Sequence, residues 1–223
     1  MLKRLIVISL IALAVLWMLL GGNKVDYLAL EPQLKASRIL SSTGQKLPEF
    51  ELLDHHQQAF NRDRLKDRWS LVFFGYTHCP DVCPTGLMDM ASIKMLLKSQ
   101  GLTVPEIFFI TFDPKRDTTE LLKTFVTHFD KDFVGVSGSK AQIDQLIKPF
   151  GAYYERVFYQ NNKPVTLKPN EVLPEGVEQY LINHTASIYL ISPEARIVAD
   201  FPAPHSPVKV VDDLTLLLTD ESH

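Results

Sequence analysis

The sequence predicts an α/β domain, a central sheet with helices on both faces, preceded by a β-hairpin and an N-terminal transmembrane helix. Three observations lead there. Residues 71–76 (Leu-Val-Phe-Phe-Gly-Tyr) and 107–112 (Ile-Phe-Phe-Ile-Thr-Phe) are short, unbroken apolar runs of the kind found in strands buried on both faces. A segment with helical spacing of apolar residues follows each run. Residues 5–22 carry no charge at all.

That uncharged run is rich in Leu, Ile, Val and Ala, with Trp17 near its far end. At about 1.5 Å rise per residue it is long enough to cross a bilayer core. Lys3 and Arg4 before it predict a cytoplasmic N-terminus and an exported remainder. Ala12-Leu13-Ala14 resembles a cleavage site, but cutting there would leave the apolar residues 15–20 at a new terminus, so an uncleaved anchor over residues 1–22 is expected. No cysteine follows the run to take a lipid, and no Arg- and Ser-rich transit segment precedes it. The arrangement reads as a bacterial inner-membrane protein, single-pass, with its soluble part in the periplasm. Residues 23–45 are mixed and polar and read as a tether; residues 46–220 read as one domain.

Within that domain, residues 47–53 alternate, 54–58 interrupt, and Ala59-Phe60 resume the apolar pattern, a β-hairpin signature. Residues 85–98 carry Leu87, Met90, Ile93, Met95, Leu96 and Leu97 at helical spacing, ended by Gly101. After the second buried run comes the turn Asp113-Pro114, then a helix over 118–129 capped by Thr118 or Asp117. Residues 133–136 read as a short strand and 140–150 as another helix. Residues 152–183 are rich in Asn, Pro and Gln and read as a loop excursion. Residues 187–191 and 196–201 form a hairpin turned at Ser192-Pro193-Glu194, and 208–218 close the domain as a helix. Strand, helix, strand, helix, then hairpin and helix is a thioredoxin-like order.

Composition excludes one class of partner. A net charge of −3, a pI near 6.2 and scattered Lys and Arg leave no basic stripe for nucleic acid. The chain has two cysteines, Cys79 and Cys83, at the turn between the first buried strand and its helix. A disulfide closing so short a loop restrains the unfolded chain little, so a structural staple is disfavoured. Placement at a helix N-terminus favours thiolate, as redox chemistry requires, although thioredoxin-type pairs are spaced C-x-x-C and this pair is C-x3-C. Two thiolates also select soft metals. An iron–sulfur cluster wants four cysteines and structural zinc four Cys or His ligands, whereas Cu(I) accepts two thiolates and one imidazole.

Seven histidines are available for that third position. His55 and His56 fall in a turn and read as solvated, His128 packs among Phe125 and Phe129, His205 lies in a Pro-rich loop, and His223 is the last residue. His78 adjoins Cys79 and points the opposite way on an extended segment. His184 stands at the end of the polar excursion, immediately before the hairpin, where the loop enters the sheet.

Phe74-Gly75-Tyr76-Thr77-His78-Cys79-Pro80-Asp81-Val82-Cys83-Pro84-Thr85 resembles the signature of the Sco/SenC family of copper proteins, and Thr111-Phe112-Asp113-Pro114-Lys115-Arg116-Asp117-Thr118 resembles its second motif. The resemblance covers residues 47–218. It implies a thioredoxin-like fold, one copper ion (Cu(I), with Cu(II) as the alternative) held by Cys79, Cys83 and His184, and a role in assembling the dinuclear CuA centre of cytochrome c oxidase subunit II. The family's histidine often follows an acidic residue that would orient the imidazole; here Asn183 precedes it. Two alternatives stand beside the copper chaperone. One is a thiol-disulfide reductase that keeps the oxidase subunit's cysteines reduced through Cys79 and Cys83. The other is a membrane-tethered peroxidase.

Overall fold

A computed structural model describes residues 26–218. The uncharged run expected to cross the membrane lies outside the described residues; among those described, no helix is long and apolar enough to do so.

The two apolar runs are strands β5 (Ser70–Gly75) and β6 (Glu106–Thr111), paired in parallel, with β7 (Val134–Ser137) parallel beyond β6. Every residue of β5 is buried, which is why its sequence shows no alternation. The other strands join antiparallel: β1 (Arg38–Ile39), β2 (Gln45–Lys46), β3 (Glu51–Asp54), β4 (Ala59–Asn61), β11 (Ile188–Ile191) and β12 (Arg196–Phe201). The sheet runs β1-β12-β11-β5-β6-β7-β3-β4, with β2 also on β12.

Period-2 alternation sorts the core into two layers. Phe73 and Phe109 face helices α1 (Val82–Ser99) and α2 (Thr119–Phe129): the Phe73 ring lies under Gly86, and Phe109 stacks near Phe125 at 5.4 Å. Helix α4 (Pro207–Leu218) packs beside α1. Phe74 faces the opposite side, where Phe150 follows the short helix α3 (Lys140–Leu146) and approaches at 4.9 Å. Helices therefore cover both faces. Thr118 caps α2 by accepting from the Leu121 N–H, as expected.

Two segments depart from the sequence-based expectation. The excursion at 152–183 contains a second, three-stranded sheet in the order β10-β8-β9, from β8 (Tyr154–Gln160), β9 (Lys163–Leu167) and β10 (Leu181–His184). Its buried face holds Tyr154, Phe158, Tyr180 and Ile182, while Asn, Lys and Gln decorate the solvent side. The expected tether also packs on the domain from residue 26 onward. Tyr27 is buried, β1 and β2 extend the main sheet, and the buried Asp213 carboxylate on α4 accepts from the Lys35, Ala36 and Ser37 N–H groups and the Ser37 hydroxyl at 2.7–2.8 Å.

Candidate metal centre

Strand β5 ends at Gly75, and the chain turns through residues 76–81 into α1. The first N–H groups of a helix have no partner within it. Asp81 at the N-cap makes no side-chain bond to them; instead the Cys83 N–H donates to the Cys79 sulfur at 3.4 Å. The C-x3-C spacing thus makes Cys79 the acceptor for the helix start and sets both sulfurs side by side. Gly75 leaves room for this. A Cβ there would lie 2.7 Å from Cys83 Sγ and 2.7 Å from the Phe109 ring.

The two thiols are electrostatically unequal. Cys83 is fully buried, and burial together with the neighbouring Cys79 sulfur pushes its thiol far up. Cys79 is pulled down to about 4, chiefly by the hydrogen bond from Cys83, with the backbone N–H groups of Asp81 and Cys83 adding, against burial. The pair is poised as one thiolate beside one thiol.

His184 ends β10, opposite Tyr154 of β8. Its Nδ1 lies 3.0 Å from the Thr185 carbonyl oxygen, which can only accept, so Nδ1 carries the proton. The Nε2 lone pair is left facing Cys83 Sγ at 3.3 Å. Thr185 is itself held, donating its N–H to the Tyr153 oxygen and accepting the Tyr153 N–H at its hydroxyl. The backbone carbonyl does for the imidazole what an acidic neighbour would do, and Asn183 turns the other way to donate to Glu155 at 3.1 Å. Phe112, Tyr76 and Phe73 wall the ring, with centroids 5.5, 6.0 and 6.4 Å away.

One Sγ from each cysteine and one His184 ring nitrogen all lie within 4.8 Å of one another. Two soft sulfurs and one correctly tautomerised imidazole nitrogen form a donor set that fits a soft monovalent ion. Among the described residues no other cluster of three such groups occurs. The other described histidines stay apart from this cluster, and His223 lies outside the described residues. His78 is half-exposed and faces Asp117 at 3.6 Å, on a turn rather than the extended segment the sequence suggested. The His205 side chain is shielded from solvent, its Nε2 3.1 Å from the Phe201 oxygen. His128 lies edge-on to Phe129. His55 is not solvated as the sequence suggested: it is buried, accepts the Gly135 N–H at Nδ1 and contacts His56 through Nε2.

Residue-by-residue reading of the sequence left the second motif, 111–118, without a chemical role, yet it buttresses the cysteine turn. The buried Asp117 carboxylate accepts from the Thr77 N–H, the Thr77 hydroxyl and the Thr111 hydroxyl, tying the residues before Cys79 to the end of β6. Asp113 and Arg116 reach the other way, to Tyr180 on the segment leading to His184. A run of Asp, Arg and Thr directly after a buried strand was the available signal, since such groups stay near a core only when paired.

Comparison with known proteins agrees with this geometry. The SCO1/SenC family model matches residues 40–219. An SCO2-like protein of Rickettsia conorii is 34% identical over 166 residues, 74% of each chain. The copper-bound structure of ScoI from Bradyrhizobium japonicum superposes with a TM-score of 0.61 at 31% identity, covering 77% of this chain and 98% of that one. Copper-bound ScoI from Arabidopsis thaliana gives 0.64 at 25% identity, covering 77% and 97%. With its family model matching most of the chain and its thiol–thiol–imidazole cluster assembled, this chain belongs to the SCO1/SenC family.

Proposed function

We propose that this protein is a membrane-anchored copper chaperone, facing the periplasm, that takes part in assembling the CuA centre of cytochrome c oxidase subunit II. Copper is its cargo, held by Cys79, Cys83 and His184. The observation that carries the reading is the convergence of two sulfurs and the unprotonated ring nitrogen of His184 within 4.8 Å. Support also comes from family membership and from relatives whose structures hold copper. The uncharged run at residues 5–22 supplies the anchor and Lys3 and Arg4 its orientation.

The site is suited to handing an ion over. Cys79 is ionised well below neutral pH and sits on the turn, whereas Cys83 and His184 are seated in the domain. An incoming thiolate or imidazole on the acceptor displaces the three ligands one at a time. Cys83 takes back its proton as it is released, which its high proton affinity favours.

The test loads reduced protein anaerobically with Cu(I) against a chelator of known affinity. One tightly held ion, weakened by about tenfold or more in His184→Ala, is the expected result. The second reading, a thiol-disulfide reductase, is favoured by the thiolate–thiol asymmetry of the pair. A wild type that holds no copper but reduces a protein disulfide would replace the first reading by the second.

A further inference from the structure

The three ligands reach the site on two separate bodies. Cys79 and Cys83 come from the β5–α1 turn of the main sheet, and His184 from β10 of the smaller sheet. Alternation along an extended segment puts residues 180, 182 and 184 on one face. Tyr180 and Ile182 are buried on that face, and His184 follows them inward. Each of the first two makes a polar tie to the main body. The Tyr180 hydroxyl donates to Asp113 at 2.6 Å, and the Ile182 N–H donates to the Tyr76 hydroxyl at 3.1 Å.

Arg116 closes the arrangement. Its guanidinium donates through Nε to Asp113 and through Nη1 to the Tyr180 carbonyl at 3.0 Å. The same plane lies 3.6 Å from the Tyr180 ring centroid and 5.8 Å from that of Tyr76, three residues before Cys79. One planar fork thus grips Asp113 from the β6–α2 turn and both backbone and ring of Tyr180. A lysine ammonium cannot hold these directions at once.

From these contacts we propose that Arg116, acting through Asp113 and Tyr180, is a positioning residue that clamps strand β10 so that His184 stays within reach of the two sulfurs. The proposal rests on the metal-site reading for its consequence, since the clamp then sets the affinity contributed by the imidazole. It has a metal-free consequence as well: without the fork, the His184 ring leaves its place beside Cys83 and Phe112.

The experiment compares wild type, Arg116→Ala, Arg116→Lys and Tyr180→Phe in the full chain, each also combined with His184→Ala. In the reduced, metal-free protein, proton NMR reads nuclear Overhauser contacts between the His184 ring and Phe112. Cu(I) competition and melting temperature are measured in parallel. The expected result is loss of the His184–Phe112 contacts in both Arg116 variants. Copper binding should weaken about tenfold in the wild-type background and not further in the His184→Ala background. The melting temperature should fall by the same amount in both. Retained ring contacts, or a copper loss that adds fully to that of His184→Ala, would overturn the proposal and reduce Arg116 to a stabilising residue. If Arg116→Ala fails to fold, Tyr180→Phe, which deletes a single hydroxyl, carries the same two readouts. If the wild type binds no copper, the metal-site reading fails and the ring contacts alone decide on the clamp.

Discussion

The sharpest consequence of the geometry is at a position with no side chain. Gly75→Ala introduces a methyl group 2.7 Å from Cys83 Sγ, 2.7 Å from Phe109 Cε2 and 3.0 Å from Phe109 Cζ. Non-bonded heavy atoms of this size rest at about 3.5–4.0 Å, so each neighbour must give by roughly 1 Å. Neither gives easily, because Cys83 is locked in the first turn of α1 and Phe109 is fully buried between β5 and α2. Overpacking of this kind costs about 1–3 kcal/mol. For a domain of this size that lowers the melting temperature by about 3–10 °C. The shift also drives Cys83 Sγ out of its 3.3 Å contact with His184 Nε2, so Cu(I) affinity should drop about tenfold or more. Gly135→Ala on β7 is the control, since its methyl would meet Leu122 Cβ of α2 at 2.9 Å. Thermal unfolding of the reduced protein and Cu(I) competition are the assays. A Gly75→Ala protein that melts and binds copper like wild type would refute the reasoning, as would an equal affinity loss in Gly135→Ala.

Two further outcomes follow from groups around the site and at the N-terminal segment. With Cys79 held near 4 by its hydrogen bonds, alkylation by iodoacetamide should keep its rate from pH 8 down to about 5 and be lost as pH falls through about 4. Cys83 should stay unmodified over that range, and mass spectrometry of the peptide separates the two; a single profile rising near pH 9 would contradict the asymmetry. Asp213→Ala removes the one acceptor shared by the Lys35, Ala36 and Ser37 N–H groups and the Ser37 hydroxyl, and should cost on the order of 3 kcal/mol. Trypsin should then cut after Lys35 in the variant and spare the wild type; equal resistance would mean that the strap is held by other contacts.

How much of this was legible in the sequence varies by element. Strands β5 and β6 were plain because burial on both faces removes every polar residue from a strand. The small sheet was hidden. Only one of its faces meets the core, its strands are interrupted by Glu155, Arg156 and Lys163, and the apolar half, Tyr154, Phe158, Tyr180 and Ile182, is spread over nearly thirty residues. Residues 26–45 read as part of a tether because backbone hydrogen bonds to Asp213 and strands of two residues hold them, and neither leaves a hydrophobic period to read. His55 looked solvated from its polar neighbours; the Gly135 N–H that buries it lies eighty residues away.

The sequence by itself determined the local half of the site. Residues three or four apart at a strand–helix junction have little freedom, so C-x3-C already implied two sulfurs side by side at a helix start, and the flanking apolar runs already implied the sheet beneath them. What the tertiary structure alone decided is the other half. His184 is 101 residues from Cys83, and its approach is the sum of a second sheet, a Tyr180–Arg116–Asp113 clamp and a Thr185 carbonyl that selects the tautomer. Which sulfur ionises is decided there too, because burial and hydrogen bonding differ between Cys79 and Cys83 although their chemistry does not. Such outcomes depend on packing across long chain separations, which no short-range spacing encodes.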